Sequence, residues 1–219
     1  MGIAFDGYLT NCTVYLETDG QPGFNPGSDA SGVVVNGIWD MFLPLGANPA
    51  AGPLGIVLGP GCKDMTFNST LLLPLGAPPG CSAISSLTTV LQYMAKSPVA
   101  GFANTSQAEA ALLAALNVTL PPTATITSLD TLALFYVYPD VPHWQQIALA
   151  ETLVGNVVLH LSALISPDLG SIPLAAPFVF DALASAMADA AASGTQFDFA
   201  NTGKAQTGTA DGNHMVVQG

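Results

Sequence analysis

The sequence predicts an α+β fold in which an N-terminal antiparallel β-sandwich is followed by a bundle-like helical segment and an extended C-terminal tail. Residues 1–81 contain short apolar and β-branched runs separated by Gly and Pro, which is typical of strands. Residues 82–200 instead carry apolar side chains at helical spacing. Residues 201–219 are rich in Gly and Thr. We therefore predict a sandwich domain, a helical domain and a tail with these boundaries.

The strand regions of the first part follow its alternating and β-branched runs. Asn36-Gly37 lies between two apolar runs, which is a strong short-range signal for a β-hairpin. The predicted strand regions cover residues 12–16, 33–42, 54–58 and 70–75.

Four helices are predicted in the second part. The first contains the apolar residues from Leu87 to Met94 at helical spacing. The second begins at a capping box formed by Ser106 and Glu109. The third and fourth cover about residues 142–165 and 174–193. Their Ala-rich faces permit close packing, either within the chain or between subunits.

Charged residues are scarce. Only 8% of the 219 residues are charged, against about 25% in a typical domain. Fifteen acids outnumber three lysines, which gives a net charge of −12. Because no basic patch can form, nucleic acid is excluded as a partner. A surface with so little charge must face sugar or neighbouring subunits, and we expect copies of the chain itself as partners.

The three cysteines lack the C-x-x-C spacing of a zinc or redox site. Cys62 and Cys81 each follow turn residues and flank a predicted strand, so we predict a disulfide between them. Cys12 with Cys62 is the competing pair. Either disulfide fits an extracellular or cell-surface location.

Four N-x-[ST] sequons predict N-linked glycosylation if the chain enters a eukaryotic secretory route. The alternative is that these asparagines are ordinary turn and cap residues in a Thr-rich chain. The acceptor residues are Asn11, Asn68, Asn104 and Asn117.

Catalytic motifs are absent from the sequence, which has no G-x-S-x-G, no H-E-x-x-H and no Gly-rich phosphate loop joined to a strand. The histidines His143, His160 and His214 lie far apart. We therefore predict that the protein is not an enzyme and requires no cofactor. The apolar runs at residues 131–138 and 153–164 are shorter than the roughly 18 residues that span a bilayer, so we predict no membrane insertion.

An ordered set of motifs between residues 4 and 166 resembles the sandwich-plus-helix repeats of large bacterial and algal surface adhesins. The resemblance implies a transthyretin-like or collagen-adhesin-like β-sandwich, an extracellular structural role and no catalytic activity. The matching motifs are D-G-Y-L at 6–9, C-T-V-Y-L at 12–16, N-G at 36–37 and S-S-L-T-T at 85–89.

In that family the acidic turn after the first strand reads like a calcium loop. The resemblance therefore implies calcium bound by Glu17, Asp19 and Asp29. Here Pro22 stands where the loop's glycine is expected. An acidic β-turn facing solvent is the alternative interpretation, and it is the better supported one.

Near the C-terminus, Met215, Val216 and Val217 have the composition of a short strand that would need a partner edge. Residues 3–5 are the other candidate for donation. We predict an extracellular structural protein that assembles into a filament or surface layer by strand addition and apolar helix contacts. The alternative is a monomeric adhesin module that binds calcium or glycan through residues 17–29.

Overall fold

The fold is seen in a computed structural model that describes most of the chain. The described residues are 1–43, 45–48, 50–98 and 100–199. The fold class is α+β, as predicted. The predicted donor segment Met215–Val217 lies outside the described residues.

The described strands form two sheets. The larger has seven strands in the order β10-β1-β5-β4-β3-β6-β9, and the smaller has the order β2-β7-β8. All neighbours are antiparallel except β1 and β10, which are parallel. The strands are β1 (Gly2–Ala4), β2 (Leu9–Thr10), β3 (Cys12–Leu16), β4 (Ala30–Val35), β5 (Ile38–Met41), β6 (Leu54–Val57), β7 (Lys63–Asp64), β8 (Ser69–Thr70), β9 (Gly76–Ala77) and β10 (Ala83–Ile84).

The larger sheet is nearly closed into a barrel. Its terminal strands β9 and β10 are joined by an isolated antiparallel bridge between Gly76 and Ser85. The predicted two-sheet sandwich is therefore not confirmed. The difference arises because β10, which follows the predicted sandwich boundary, pairs with the first strand of the chain, and such a non-local pairing leaves no local sequence signal.

The hairpin predicted at Asn36-Gly37 is confirmed. Strands β4 and β5 pair from Val35 with Ile38 onward. Asn36 and Gly37 have φ values of 50° and 79°, and two consecutive positive φ angles are what a type I′ turn requires.

Five α-helices follow the strands within the described residues. Helix α1 contacts β9 and β10 and also packs against α2, α4 and α5. One continuous buried cluster includes apolar side chains from the barrel and from the helices. The helices are α1 (Ser86–Lys96), α2 (Thr105–Ala115), α3 (Thr131–Val137), α4 (Pro142–Ile165) and α5 (Ile172–Ala192), with a 3-10 turn at Leu169–Ser171.

The start of α2 differs from the prediction. Its N-cap is Asn104, whose side-chain oxygen accepts a hydrogen bond from the Gln107 amide at 3.0 Å. Glu109 does not complete a capping box. Its carboxylate instead accepts a hydrogen bond from the amide of Ile126, which connects α2 to the loop before α3.

The predicted disulfide between Cys62 and Cys81 is wrong. Cys12 is bonded to Cys62, and Cys81 is a buried free thiol. The cause is the pairing of β2 with β7, in which Thr10 lies opposite Lys63. That register places the Cα atoms of Cys12 and Cys62 4.3 Å apart.

Replacing Cys12 with Ser should lower the free energy of unfolding by about 4 kcal/mol, because the disulfide closes a loop across 50 residues. Urea denaturation of the purified protein measures this difference. Cys81→Ala is the control, since it leaves the disulfide intact. A non-reducing peptide map of the wild-type protein that joins Cys62 to Cys81 would contradict the assignment.

Candidate functional site

Helices α4 and α5 form an antiparallel hairpin with an unusual composition. Both are long and apolar enough to cross a membrane, as judged by length and composition only. In the most apolar window of each, 39% and 44% of the residues are buried. The core helix of a soluble protein passes the same test, but most of such a helix is buried. Here more than half of the residues in each apolar window are only partly buried or exposed.

The exposed apolar side chains concentrate at the end of the hairpin where α4 meets α5. Leu174 and Phe178 are 74% and 67% exposed and lie four residues apart, on one face of α5. Leu164 at the end of α4 is 75% exposed. We call this the hairpin surface, which consists of Leu164, Ile165, Leu169, Leu174 and Phe178.

The opposite face of each helix belongs to the core. On α4, Val154 and Val158 are fully buried. On α5, Phe180 is fully buried and its ring stacks on Tyr93 of α1, with 6.0 Å between the ring centroids. One face of the hairpin therefore packs against the rest of the chain, whereas its apolar end remains exposed.

A buried carboxyl group fixes α4 against α1. One oxygen of Glu151 accepts a hydrogen bond from the Leu87 amide at 3.0 Å, and the other accepts one from the Ser85 hydroxyl at 3.1 Å. Burial raises the pKa of Glu151 to about 8, and the nearby Asp6 adds to this, while the hydrogen bonds oppose it. Gly155 completes the contact, because a Cβ there would lie 2.8 Å from an Asp6 carboxylate oxygen.

The hairpin carries little charge on its outer side. Residues 142–192 contain no Lys or Arg. Asp168, between the two helices, accepts hydrogen bonds from the Ser171 amide and hydroxyl. The acids Asp181 and Asp189 lie further along α5, beyond Phe178. The hairpin surface is therefore chemically suited to an uncharged apolar partner.

The predicted calcium ligands lie in a loop that is hydrogen-bonded internally. The two carboxylate oxygens of Asp29 accept hydrogen bonds from the amides of Thr18 and Asn25, at 2.9 and 2.8 Å. Asp19 accepts hydrogen bonds from the Ser28 hydroxyl, the Gln21 amide and the Asn25 side chain, which lower its pKa.

Glu17, at the other end of this loop, immediately follows β3. Among the residues that the structure describes, no group of three or more His, Cys, Asp or Glu side chains is arranged to hold a metal ion. Calcium binding by Glu17, Asp19 and Asp29 stays a prediction.

All four sequon asparagines are exposed. Three of them, Asn11, Asn68 and Asn117, have φ values of 54°, 50° and 53°, a left-handed conformation that Asn adopts more readily than most residues. The fourth, Asn104, caps α2. Each asparagine thus has a local structural role, and glycosylation of these sites stays a prediction.

Sequence reasoning missed two pairings that depend on the fold. Glu151 is the one acid in α4, and a single carboxylate in an otherwise apolar helix could have indicated a buried polar contact. Tyr8 donates a hydrogen bond to Asp130 at 3.0 Å across 122 residues, and no local pattern indicates this contact.

In comparisons with protein-family models, curated proteins and solved structures, the chain matches none of them significantly.

The stability of the protein should fall as pH rises from about 4.5 to 8. The folded state raises the pKa of Glu151 from 4.5 to about 8, so the stabilisation is fully present below pH 4.5 and lost as pH rises through 8. Over the same pH range, the free energy of unfolding of the Glu151→Gln variant should fall less than that of the wild-type protein, by on the order of a few kcal/mol. Urea denaturation at a series of pH values measures the effect.

Thr152→Ala, on the exposed side of α4, changes no titratable group and is the control for this experiment. Burial also raises the pKa of Asp6 and Glu109, so part of the pH dependence should persist in Glu151→Gln. If the free energy of unfolding falls equally steeply with pH in Glu151→Gln and in the wild-type protein, Glu151 is not protonated in the folded state over this pH range.

Proposed function

We propose that this chain is an extracellular structural protein that associates with copies of itself into a filament or surface layer. The observation that carries the proposal is the α4–α5 hairpin, two helices of membrane-like apolarity of which less than half is buried within one chain. Exposed apolar surface of this kind is typical of interfaces with another macromolecule. No chemical step is required of such a protein.

The dimensions of the hairpin set an upper limit on the area that a second copy could cover. Helices of 24 and 21 residues are about 36 and 32 Å long at a rise of 1.5 Å per residue. Two such helices side by side present a face roughly 20 Å wide. The whole outer face would therefore offer at most about 700 Å² to each partner, against the roughly 800 Å² of a standard interface, and the hairpin surface at one end is the apolar part of that face.

A second copy of the chain is a better partner for the hairpin surface than a membrane is. Withdrawing α4 into a bilayer would break the buried hydrogen bonds from Ser85 and Leu87 to Glu151. Residues 142–192 also lack the Lys and Arg side chains that attract a helix to anionic lipid. The net charge of −12 opposes that attraction further.

Strand addition is the second contact of the proposed assembly. Residues 3–5 are poor donors, because β1 already pairs with both β5 and β10. The ends of the larger sheet are joined by the bridge from Gly76 to Ser85. The outer edge of β8, whose residues Ser69 and Thr70 are both exposed, is therefore the proposed acceptor, and Met215–Val217 of another copy is the proposed donor.

The proposed location and family rest on several features together. The Cys12–Cys62 disulfide fits an oxidising compartment, and the low charge and exposed sequons fit a secreted surface. The motif order that resembles adhesin repeats supports the same role. A monomeric module that uses Glu17, Asp19 and Asp29 to bind calcium, or that binds glycan through the same loop, is the competing function.

Replacing both Leu174 and Phe178 with Ser should shift the protein from large assemblies toward a species of about 22 kDa, because the exposed apolar contact on α5 is lost. Multi-angle light scattering with negative-stain imaging measures the change. Both side chains are largely exposed, so the fold should be retained.

Val33→Ser, which removes an exposed apolar side chain from β4, is the matched control and should leave the assembly unchanged. A wild-type protein that is monomeric with and without calcium would refute self-assembly. Co-flotation of the wild-type protein with neutral phosphatidylcholine vesicles, lost in the double variant, would assign the hairpin surface to membrane instead.

Replacing Val216 with Pro should stop filament growth without preventing contact between hairpin surfaces, since Pro cannot donate a ladder hydrogen bond. Val216→Thr keeps the backbone donor and is the control. The expected outcome is short oligomers for Val216→Pro and filaments for Val216→Thr, distinguished by negative-stain imaging. Filaments of normal length in Val216→Pro would remove strand addition from the proposal.

A further inference from the structure

Tyr8 lies where three parts of the fold meet. Its ring packs on the β4–β5 turn, where a Cβ added to Gly37 would lie 2.3 Å from the Tyr8 ring. Its carbonyl oxygen accepts a hydrogen bond from the Met65 amide at 2.8 Å. Its hydroxyl donates to a carboxylate oxygen of Asp130 at 3.0 Å. The position of the ring is therefore fixed by the turn, by the β7–β8 hairpin and by the start of α3.

Exposed apolar and aromatic side chains lie on the three elements that hold this ring. Phe67 on the β7–β8 hairpin is 76% exposed, and Tyr136 on α3 is 66% exposed. Tyr136 belongs to the helix whose N-cap, Asp130, accepts the Tyr8 hydroxyl. Burial raises the pKa of Tyr8 to about 12, and the hydrogen bond to Asp130 adds to this. Val35 and Ile38 are exposed and pair across the turn against which Tyr8 packs. We call this the Tyr8 surface, which consists of Tyr8, Val35, Ile38, Met65, Phe67 and Tyr136.

An ordered carboxylate lies within this surface. One oxygen of Asp130 accepts a hydrogen bond from the Ala133 amide at 2.8 Å, and the other accepts the Tyr8 hydroxyl. A carboxylate has about four acceptor positions, so Asp130 retains capacity for further donors. Its geometry is set before any ligand arrives.

The chemistry of the Tyr8 surface defines the ligand that complements it. Exposed ring faces carry negative charge density and favour the weakly positive C–H groups on the apolar face of a pyranose. A fixed carboxylate favours hydroxyl donors. Lys63 is the one basic side chain on the elements named here, and the chain carries a net charge of −12, so an anionic ligand is disfavoured.

We propose that the Tyr8 surface binds neutral carbohydrate, with Phe67 and Tyr136 stacking on sugar rings and Asp130 accepting hydrogen bonds from sugar hydroxyls. A protein partner would bury the Asp130 carboxylate and have to supply a compensating donor at the same point, whereas a sugar presents hydroxyl donors on every ring. This site is separate from the acidic loop at residues 17–29. It also does not depend on self-assembly.

The test is a titration of the purified full chain with neutral hexasaccharides of the cello, chito, manno and laminari series, followed by NMR chemical shifts and calorimetry. At least one should bind saturably, and a galacturonate hexamer should not. Phe67→Ala and Tyr136→Ala should each weaken binding by about three- to tenfold. Phe42→Ala, which removes an exposed ring that follows β5 and belongs to neither proposed surface, should leave the affinity unchanged.

The Asp130→Asn variant tests the polar contact, since Asn can still cap α3 but offers one acceptor oxygen fewer. It should weaken binding several-fold while circular dichroism remains that of the wild type. Absence of saturable binding to all four neutral series, or equal loss in Phe42→Ala, would overturn the proposal. So would a fall in assembly mass caused by Tyr136→Ala, because the Tyr8 surface would then be a protein interface.

Discussion

The structure depends on the hydrogen-bonded start of α1 at Ser85. The backbone of Ser85 forms the bridge to Gly76 that nearly closes the barrel. Its side chain accepts a hydrogen bond from the Thr88 amide, and the Thr88 side chain accepts one from the Ser85 amide, which makes a reciprocal capping box. The Ser85 hydroxyl also donates to Glu151. Barrel closure, helix initiation and the docking of α4 therefore share one residue.

This arrangement explains why an apolar helix has a defined place in the fold. Hydrophobic contact alone has little directional preference and would tolerate sliding of α4 over α1. Glu151 removes that freedom, because the Ser85 hydroxyl and the Leu87 amide that donate to it are almost completely buried and each would lose its acceptor after a shift. An unsatisfied buried polar group costs about 1–3 kcal/mol, and the members of such a network support one another. Specificity of the interface between barrel and helices thus comes from polar groups.

Local patterns in the sequence were sufficient for some elements and insufficient for others. The hairpin at Asn36-Gly37 and helix α4 could be predicted because turn chemistry and apolar periodicity act over a few residues. Barrel closure and the Cys12–Cys62 disulfide depend on pairings between distant segments, and Cys62 had two plausible partners. The hairpin surface and the Tyr8 surface could not be predicted from local sequence patterns either. An apolar periodicity indicates that a helix has an apolar face. How much of that face the rest of the chain covers then decides which residues stay exposed.

The exposed apolar end of the hairpin and the strong negative charge have opposite effects on association. At 0.15 M ionic strength the screening length is about 8 Å, so repulsion between copies with a charge of −12 acts mainly when acidic faces come close together. On α5 the acids Asp181 and Asp189 lie away from the hairpin end that contains Leu174. Contacts at that end bury apolar area and keep Asp181 and Asp189 apart, so that Asp168 is the one hairpin carboxylate close to the contact, whereas contacts along the whole of α5 in other orientations oppose further like charges. The distribution of charge therefore favours association of specific orientation over indiscriminate aggregation.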